Sequence, residues 1–188
     1  PARLLAGLAS VLVDCCHGES AGVSIVEPAD ERRELQVSRW YAIAGPFADN
    51  TGTRVPRHDS PTGVAIDLAE PVLFQYPERH FPALTGTSRR IVEALLVPFY
   101  EADRPAGTIW LVTHSESDCF DAEDLRLLNL LSRFASAGNR QRREFEQHGS
   151  DARALQQSYD HERTISARLR SLATELTRSE HRARRGFA

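Results

Sequence analysis

The chain predicts an α+β fold, with at least five strands carrying helices before, between and after them. Three observations point there. Glu93–Tyr100 and Gly107–Thr113 are apolar on both of their faces, Leu95, Val97 and Phe99 against Ala94, Leu96 and Tyr100, then Ile109 and Leu111 against Trp110 and Val112. A half-solvated sheet would alternate, so this one is expected to be covered on each side. Asp121 next supplies an N-cap, and Glu123 and Asp124 fall in the first turn, where the helix dipole favours them. Finally, all 10 prolines lie at or before Pro105, and between Thr108 and Arg185 the only glycines are Gly138 and Gly149. So few helix breakers predict one long C-terminal helix or two joined ones.

The remaining elements follow in chain order. Arg3 to Val13 places Leu4, Leu5, Leu8, Val11 and Leu12 at helical spacing. Gly22–Val26 and Gln36–Ala44 read as strands of a first hairpin, joined by the polar loop Pro28–Glu34. Ser60 followed by Pro61 is a cap and a first helical position, so a short helix is expected to run to about Leu68. Pro71–Gln75 is the next strand, and residues 77–90, punctuated by Pro77 and Pro82, are loop or short helix.

The length of 188 residues gives room for one domain and an extension. The longest apolar run, Ala94–Tyr100, is far short of the roughly 20 residues that span a bilayer. Three cysteines, Cys15, Cys16 and Cys119, make no disulfide framework, so a reducing compartment, the cytoplasm, is expected. Methionine is absent even at position 1, as expected of a segment cut from a longer protein. Residues 139–188 hold 11 Arg against 7 acidic residues, a net charge of +4, while the first 138 carry −7. Aromatics are sparse among the basic residues, so a solvated helix face is expected there, not a nucleic-acid surface.

Leu95-Leu-Val-Pro-Phe-Tyr100, a turn, Gly107-Thr-Ile-Trp-Leu-Val112 and Phe120-Asp-Ala-Glu-Asp-Leu-Arg-Leu-Leu128 together resemble a GAF domain. The resemblance extends back through Ser60–Asp67 and Pro71–Phe74 and covers roughly residues 1–140, leaving 141–188 as a signalling helix. It implies an antiparallel sheet of five or six strands with the terminal helices on one face and a small-molecule pocket on the other. A small sheet covered by short helices and loops also leaves a concave gap on physical grounds. Residues available to line it are Trp40, Arg57, His58, Thr62, Phe81 and Trp110, which we take as the ligand-binding candidates, with Phe47, Arg54, Phe74, Tyr76, His80 and His114 behind them. Arg57 and His58 precede the Ser60 cap and could meet an anion near a helix N-terminus. Trp40, Phe74 and Trp110 have ordinary core packing as their alternative.

The sequence names no cofactor. Phe120 and Asp124 fit half of the cyclic-nucleotide pattern of GAF domains, but Leu125 replaces its Glu and the chain has no Lys. The Asp-Ile-Pro segment of bilin-binding relatives is missing, and Cys119 reads as a small packed thiol. His17, His58, His80 and His114 are candidates for haem iron. No spacing of Cys, His, Asp and Glu suggests zinc. A phosphate-cradling glycine loop, a Gly-x-Ser-x-Gly elbow and an ordered Ser, His, Asp set are all lacking, so this segment is expected not to be an enzyme. The cysteine-dependent reductases of the GAF fold are the enzymatic alternative, through Cys15, Cys16 and Cys119.

Counting sevens from Leu127 gives one heptad frame. Leu127, Phe134, Gln141, His148, Leu155, Glu162, Leu169 and Leu176 share one site, and Leu130, Ala137, Glu144, Asp151, Ser158, Ile165, Leu172 and Ser179 the other. The apolar stretches of this seam call for a partner helix, and a homodimer through Leu155, Ile165, Leu169, Leu172 and Leu176 is expected; a helix folding back on the sheet is the alternative. Gln141, Glu144, His148 and Asp151, beside Gly149, make its middle polar and able to change register. Leu169-Arg-Ser-Leu-Ala-Thr-Glu-Leu176, with Glu180, Arg184, Arg185 and Ala188, is similar to the entry of the dimerisation helix in histidine kinases that pair with NarL-type response regulators. The resemblance implies a sensor module ahead of a kinase core, with a response regulator as that core's partner. A PP2C-type phosphatase, a cyclase and a cofactor-free dimerisation module are the alternatives. His161 and His181 lack the following Asp of a phosphoacceptor.

Overall fold

The computed structural model describes residues 2–29, 35–87, 89–101 and 104–185. It divides into two units, Pro1–Arg142 and Arg143–Ala188. Its elements are α1 (Ala2–Cys15), β1 (Ser20–Pro28), β2 (Gln36–Ala44), β3 (Arg54–Pro56), α2 (Pro61–Leu68), β4 (Val72–Gln75), β5 (Glu93–Glu101), β6 (Arg104–Thr113) and α3 (Ala122–Arg185). The six strands form one sheet in the order β3-β2-β1-β6-β5-β4, antiparallel at every pairing. The tip of the first hairpin, residues 30–34, lies outside the described residues. The α+β architecture is the one expected. β3 was not foreseen: three residues ending in Pro56 carry no periodicity. Residues 77–90 contain two single-turn 3₁₀ segments, Pro77–Arg79 and Pro82–Leu84. β6 starts at Arg104, three residues earlier than its apolar run.

The apolar character of β5 and β6 on both faces becomes two cores. Leu95, Val97, Phe99, Ile109 and Leu111 face α1 and α3, packing with Leu5, Leu8, Leu12, Leu128 and Ala135. Ala94, Leu96, Trp110 and Val112 face the other way, against Trp40, Phe47, Ala65, Phe81, Leu84 and Ile91. Each side chain of this size taken fully out of water stabilises the fold by about 1.5–3 kcal/mol. A β-bulge sets which face β2 serves. Val23 pairs with Ala42 while Ser24 pairs with Trp40, leaving Tyr41 as the extra residue. The bulge turns Ala42 toward the helices and Trp40 toward the opposite core, although alternation alone would put both on one face.

On the helical face α1 runs antiparallel to the first turns of α3. A Cβ at Gly138 would sit 2.8 Å from Leu5 Cδ2 and 3.2 Å from Leu4 Cδ2, so glycine lets the two helices approach. At the other end Asp121 caps α3, its Oδ1 accepting from the backbone N–H of Glu123 (2.8 Å) and Asp124 (3.0 Å). Asp124 returns the favour to Asp121 N–H (3.0 Å) in a capping box. Its carboxylate also accepts from the His17 backbone N–H and meets His17 Nδ1, each at 3.0 Å. Burial works to raise the Asp124 pKa, but the hydrogen bonds from Asp121 and His17 outweigh it and hold the carboxyl below its usual range. The same contact raises the His17 pKa. Where the first unit ends, Arg142 is buried; its guanidinium donates to Asn139 Oδ1 (3.1 Å), lies 5.4 Å from the Tyr41 ring centroid and approaches Glu27 (3.9 Å).

In the second unit no turn interrupts α3 before Arg185. Leu155 is 72% exposed and Ile165 46%. The side chains of Leu169, Leu172 and Leu176 lie outside those described. Within the first unit the face of α3 given to the sheet runs through Asp124, Leu128, Ala135 and Asn139, while Leu130 and Phe134 of the heptad frame are 48% and 53% exposed. None of the helices among the described residues is long and apolar enough to cross a membrane.

Candidate functional site

On the face opposite α1 and α3, three aromatic rings meet. Trp40 comes from β2, Trp110 from β6 and Phe47 from the segment that follows β2 through Gly45. Ring centroids are 5.4 Å apart for Trp40 and Phe47, 6.2 Å for Phe47 and Trp110 and 6.4 Å for the two tryptophans, tilted or edge-on as the ring quadrupoles prefer. Trp110 lies across Gly22, where a Cβ would come within 2.4 Å of its ring and 2.7 Å of the Ala42 carbonyl oxygen. Its indole N–H donates to Ser24 Oγ (2.9 Å), so the buried ring leaves no orphan donor. Thr62 of α2 and Thr108 of β6 share a second buried hydrogen bond (3.0 Å).

Around these rings remains a cavity of about 40 Å³, with Ser24, Pro61, Thr62, Pro77, Leu84, Ile91, Ala94, Leu96 and Val112 completing its walls. A water needs roughly 10–15 Å³ of such space, and pockets for small organic ligands run from about 300 to 1,000 Å³. The aromatic trio therefore fills most of the space a ligand would take. Beside Phe47, outside the cavity lining, stands His114. Its Nδ1–H donates to the Arg90 carbonyl oxygen (2.7 Å), and its Nε2 shares a hydrogen bond with the Ser20 hydroxyl (3.3 Å). Ser20 Oγ in turn accepts from Phe47 N–H (3.1 Å), and the His114 ring stands 5.8 Å from that of Phe47.

Of the six ligand-binding candidates, Trp40, Thr62 and Trp110 line this cavity. Phe81 belongs to the same apolar core but meets Phe74 edge-on at 5.2 Å, away from the lining. Arg57 is turned onto Asp67 in an ion pair, and His58 is exposed in the turn before α2. The α2 N-terminus is served by Ser60, whose Oγ accepts from Gly63 N–H (3.1 Å). Neither Arg57 nor His58 forms part of the cavity wall. Ser24 was missed by sequence reasoning; a lone hydroxyl inside the apolar run of β1 was the available signal.

No histidine lines the cavity among the described residues, so it offers iron no imidazole ligand. His17, Asp121 and Asp124 place potential ligand atoms within 4.8 Å of one another. Both carboxylates there are already engaged in capping α3. Cys15 and Cys119 are exposed and Cys16 is partly buried, all three as free thiols. Burial, then the negative charge of Asp124, pushes the Cys16 thiol up to about 12, which disfavours the nucleophilic thiolate.

Residues 2–138 match the sequence model of the GAF domain. The chain belongs to the GAF domain family. No curated protein sequence matches it. Among solved structures, the GAF-B domain of DevS from Mycobacterium smegmatis is similar with a TM-score of 0.56 and 23% identity, over 77% of this chain and 98% of that one. The GAF domain of a two-component sensor histidine kinase from Bacillus halodurans gives 0.57 and 12%, over 77% and 96%. Free methionine-R-sulfoxide reductase from Neisseria meningitidis, in complex with its substrate, gives 0.55 and 21%, over 70% and 73%. At these identities the likeness concerns the fold. Both sensor and enzyme relatives share it, so this GAF domain's role has to be argued from its own residues.

Proposed function

We propose that this GAF domain is the cytoplasmic input module of a two-component sensor histidine kinase of the NarL-partner type, acting as a homodimer through α3. The observation that carries the reading is the unbroken α3, which begins on the GAF sheet and goes on to expose Leu155 and Ile165 at the two sites of the frame set by Leu127 and Leu130. Exposed leucine and isoleucine at heptad spacing gain stability by packing against a second copy. The sequence likeness of Leu169–Leu176 to the entry of a kinase dimerisation helix supports the same output. In this reading the chain supplies the input and a kinase core supplies the chemistry, with the response regulator as that core's partner. The partly buried Cys16, its thiol pKa raised to about 12, speaks against a cysteine-based reductase.

A phase test addresses the relay. The chain is fused ahead of a histidine kinase core, and either seven or two residues are inserted after Asp151. Seven residues turn the seam by about 20° and two by about 200°. Kinase output should survive the first and be lost or inverted with the second; equal output from both would refute transmission through α3. The cavity of about 40 Å³ favours one second reading, a dimerisation module that takes no ligand. That reading requires that no small molecule shifts the melting of the GAF domain.

A further inference from the structure

The sheet ends on β3 and β4, whose outer sides meet no further strand among the described residues. Edges of this kind are ordinarily blunted by charge, proline or a bulge, because unpaired backbone is a template for another strand. β3 follows that rule: three residues long, it carries Arg54, paired with Glu27 (3.5 Å), and Pro56. β4 does not. Val72-Leu-Phe-Gln75 holds neither charge nor proline, and its pairing with β5 runs without a register shift.

Which backbone groups β4 presents follows from its ladder. Tyr76 N–H donates to the Val92 carbonyl oxygen (2.7 Å), continuing the register Val72↔Leu96 and Phe74↔Ala94. Bonded and non-bonded pairs alternate along an antiparallel ladder, so Val72 and Phe74 spend their backbone on β5. Pro98 agrees with this phase: opposite Thr108, it then holds a position of β5 whose missing N–H faces away from β6. Leu73 and Gln75 therefore turn both N–H and C=O outward, two residues apart as in any strand that accepts a neighbour. Both are exposed, Leu73 at 48%.

An open groove of about 540 Å³ is lined by Leu73, Phe74, Gln75, Tyr76, Arg79 and His80. Leu73 lies opposite Leu95 on the helical face, while Phe74 packs into the aromatic core on the other. A void that touches both runs alongside the strand, where a seventh strand would lie. At the Tyr76 end, Arg79 Cζ stands 4.5 Å from the Tyr76 ring centroid, and among the described residues no acid pairs with it. We propose that the free edge of β4 takes an extended peptide segment of a partner protein as that seventh strand. Leu73 and Gln75 bond its backbone, and consecutive apolar residues of the segment pack beside Leu73 on one face and Phe74 on the other. An acidic residue at its end meets Arg79. The inference goes beyond the α3 reading and stands apart from it, since β4 belongs to the first unit.

The test is amide NMR of the full chain titrated with the capped peptide Thr-Val-Ile-Thr-Asp. The Leu73 and Gln75 amide signals should shift with a dissociation constant on the order of millimolar, while those of Arg54 and Val55 on the opposite edge stay in place. The same peptide N-methylated along its backbone should bind at least tenfold more weakly. Leu73→Pro, which deletes one outward N–H at a position where an edge tolerates proline, should weaken binding as much, and Leu73→Ala, which keeps the N–H, less. Where Leu73→Pro fails to fold, the N-methylated peptide reads the same backbone bonds on the parent chain. No shift at Leu73 and Gln75 up to about 10 mM peptide, or equal binding by the N-methylated peptide, overturns the proposal. So does a fall in sedimenting mass on Leu73→Pro, which would give the edge to a second copy. A chain that still dimerises when the peptide fails to bind overturns this site alone and leaves the α3 reading standing.

Discussion

Replacing Phe47 with Ala tests whether the aromatic trio fills the GAF cavity or merely borders it. Phe47 is 1% exposed, touches Trp40, Trp110 and His114, and its side chain makes no hydrogen bond, so the change removes packing alone. About 100 Å³ of ring disappears, and at roughly 24 cal/mol per Å³ the void term is about 2.4 kcal/mol. Lost transfer of the ring adds about 1.5–3 kcal/mol, for a total of about 4–5 kcal/mol. For a domain of this size that corresponds to a melting point lower by about 10–15 °C. The space vacated by the ring would open into the existing cavity, and apolar walls around a void of that kind accept benzene. Benzene at a hundredfold its dissociation constant should then return about 2.7 kcal/mol to the variant and nothing to the parent. Circular dichroism melts with and without benzene read both effects. A loss below about 1 kcal/mol, or benzene stabilising the parent as much as the variant, would refute the reasoning.

Further expectations concern the supports of the site. Gly22→Ala drives a Cβ into the Trp110 ring and the Ala42 carbonyl, and neither can yield cheaply; a cost of about 1–3 kcal/mol and altered tryptophan fluorescence are expected. The His17–Asp124 link predicts a pH window. His17 titrates above its ordinary 6.5, so its contribution is complete below 6.5 and lost as pH rises through the folded value. Asp124 titrates below its ordinary 3.8, so its contribution is complete above 3.8 and lost as pH falls through the folded value. Stability from this link should therefore be greatest between 3.8 and 6.5, and His17→Gln should remove the alkaline limb of the melting profile. Arg142→Ala strips buried Asn139 Oδ1 of its donor and should cost about 1–3 kcal/mol in urea unfolding, Arg142→Met less, since it keeps an apolar stem against Tyr41.

The fold was legible where physical signals were strong. Apolar residues on both faces of β5 and β6 announced two cores, Ser60–Pro61 announced α2, and Asp121 announced the start of α3. The site was legible only in part. Trp40 and Trp110 are large residues on strands, and Thr62 follows a cap, so all three could be placed toward the sheet's second face. Whether Trp40 points there depends on the bulge at Tyr41, a one-residue event that alternation does not encode. Arg57 sits close to a helix N-terminus in sequence, yet Asp67, one helix length away, captures it; only three-dimensional proximity reveals that competition. Asp124 looked like a dipole residue of the first turn and is also the buried anchor of His17, a contact across 107 positions of sequence.

The central claim is that α3 pairs with a second copy through the seam that contains Leu155 and Ile165, and sedimentation velocity measures it directly. The chain should sediment as a dimer, at twice its 21.0 kDa, and the double variant Leu155→Glu, Ile165→Glu as a monomer with the GAF melting point unchanged. A parent chain that stays at 21.0 kDa up to about millimolar concentration, or a variant that remains dimeric, would contradict it.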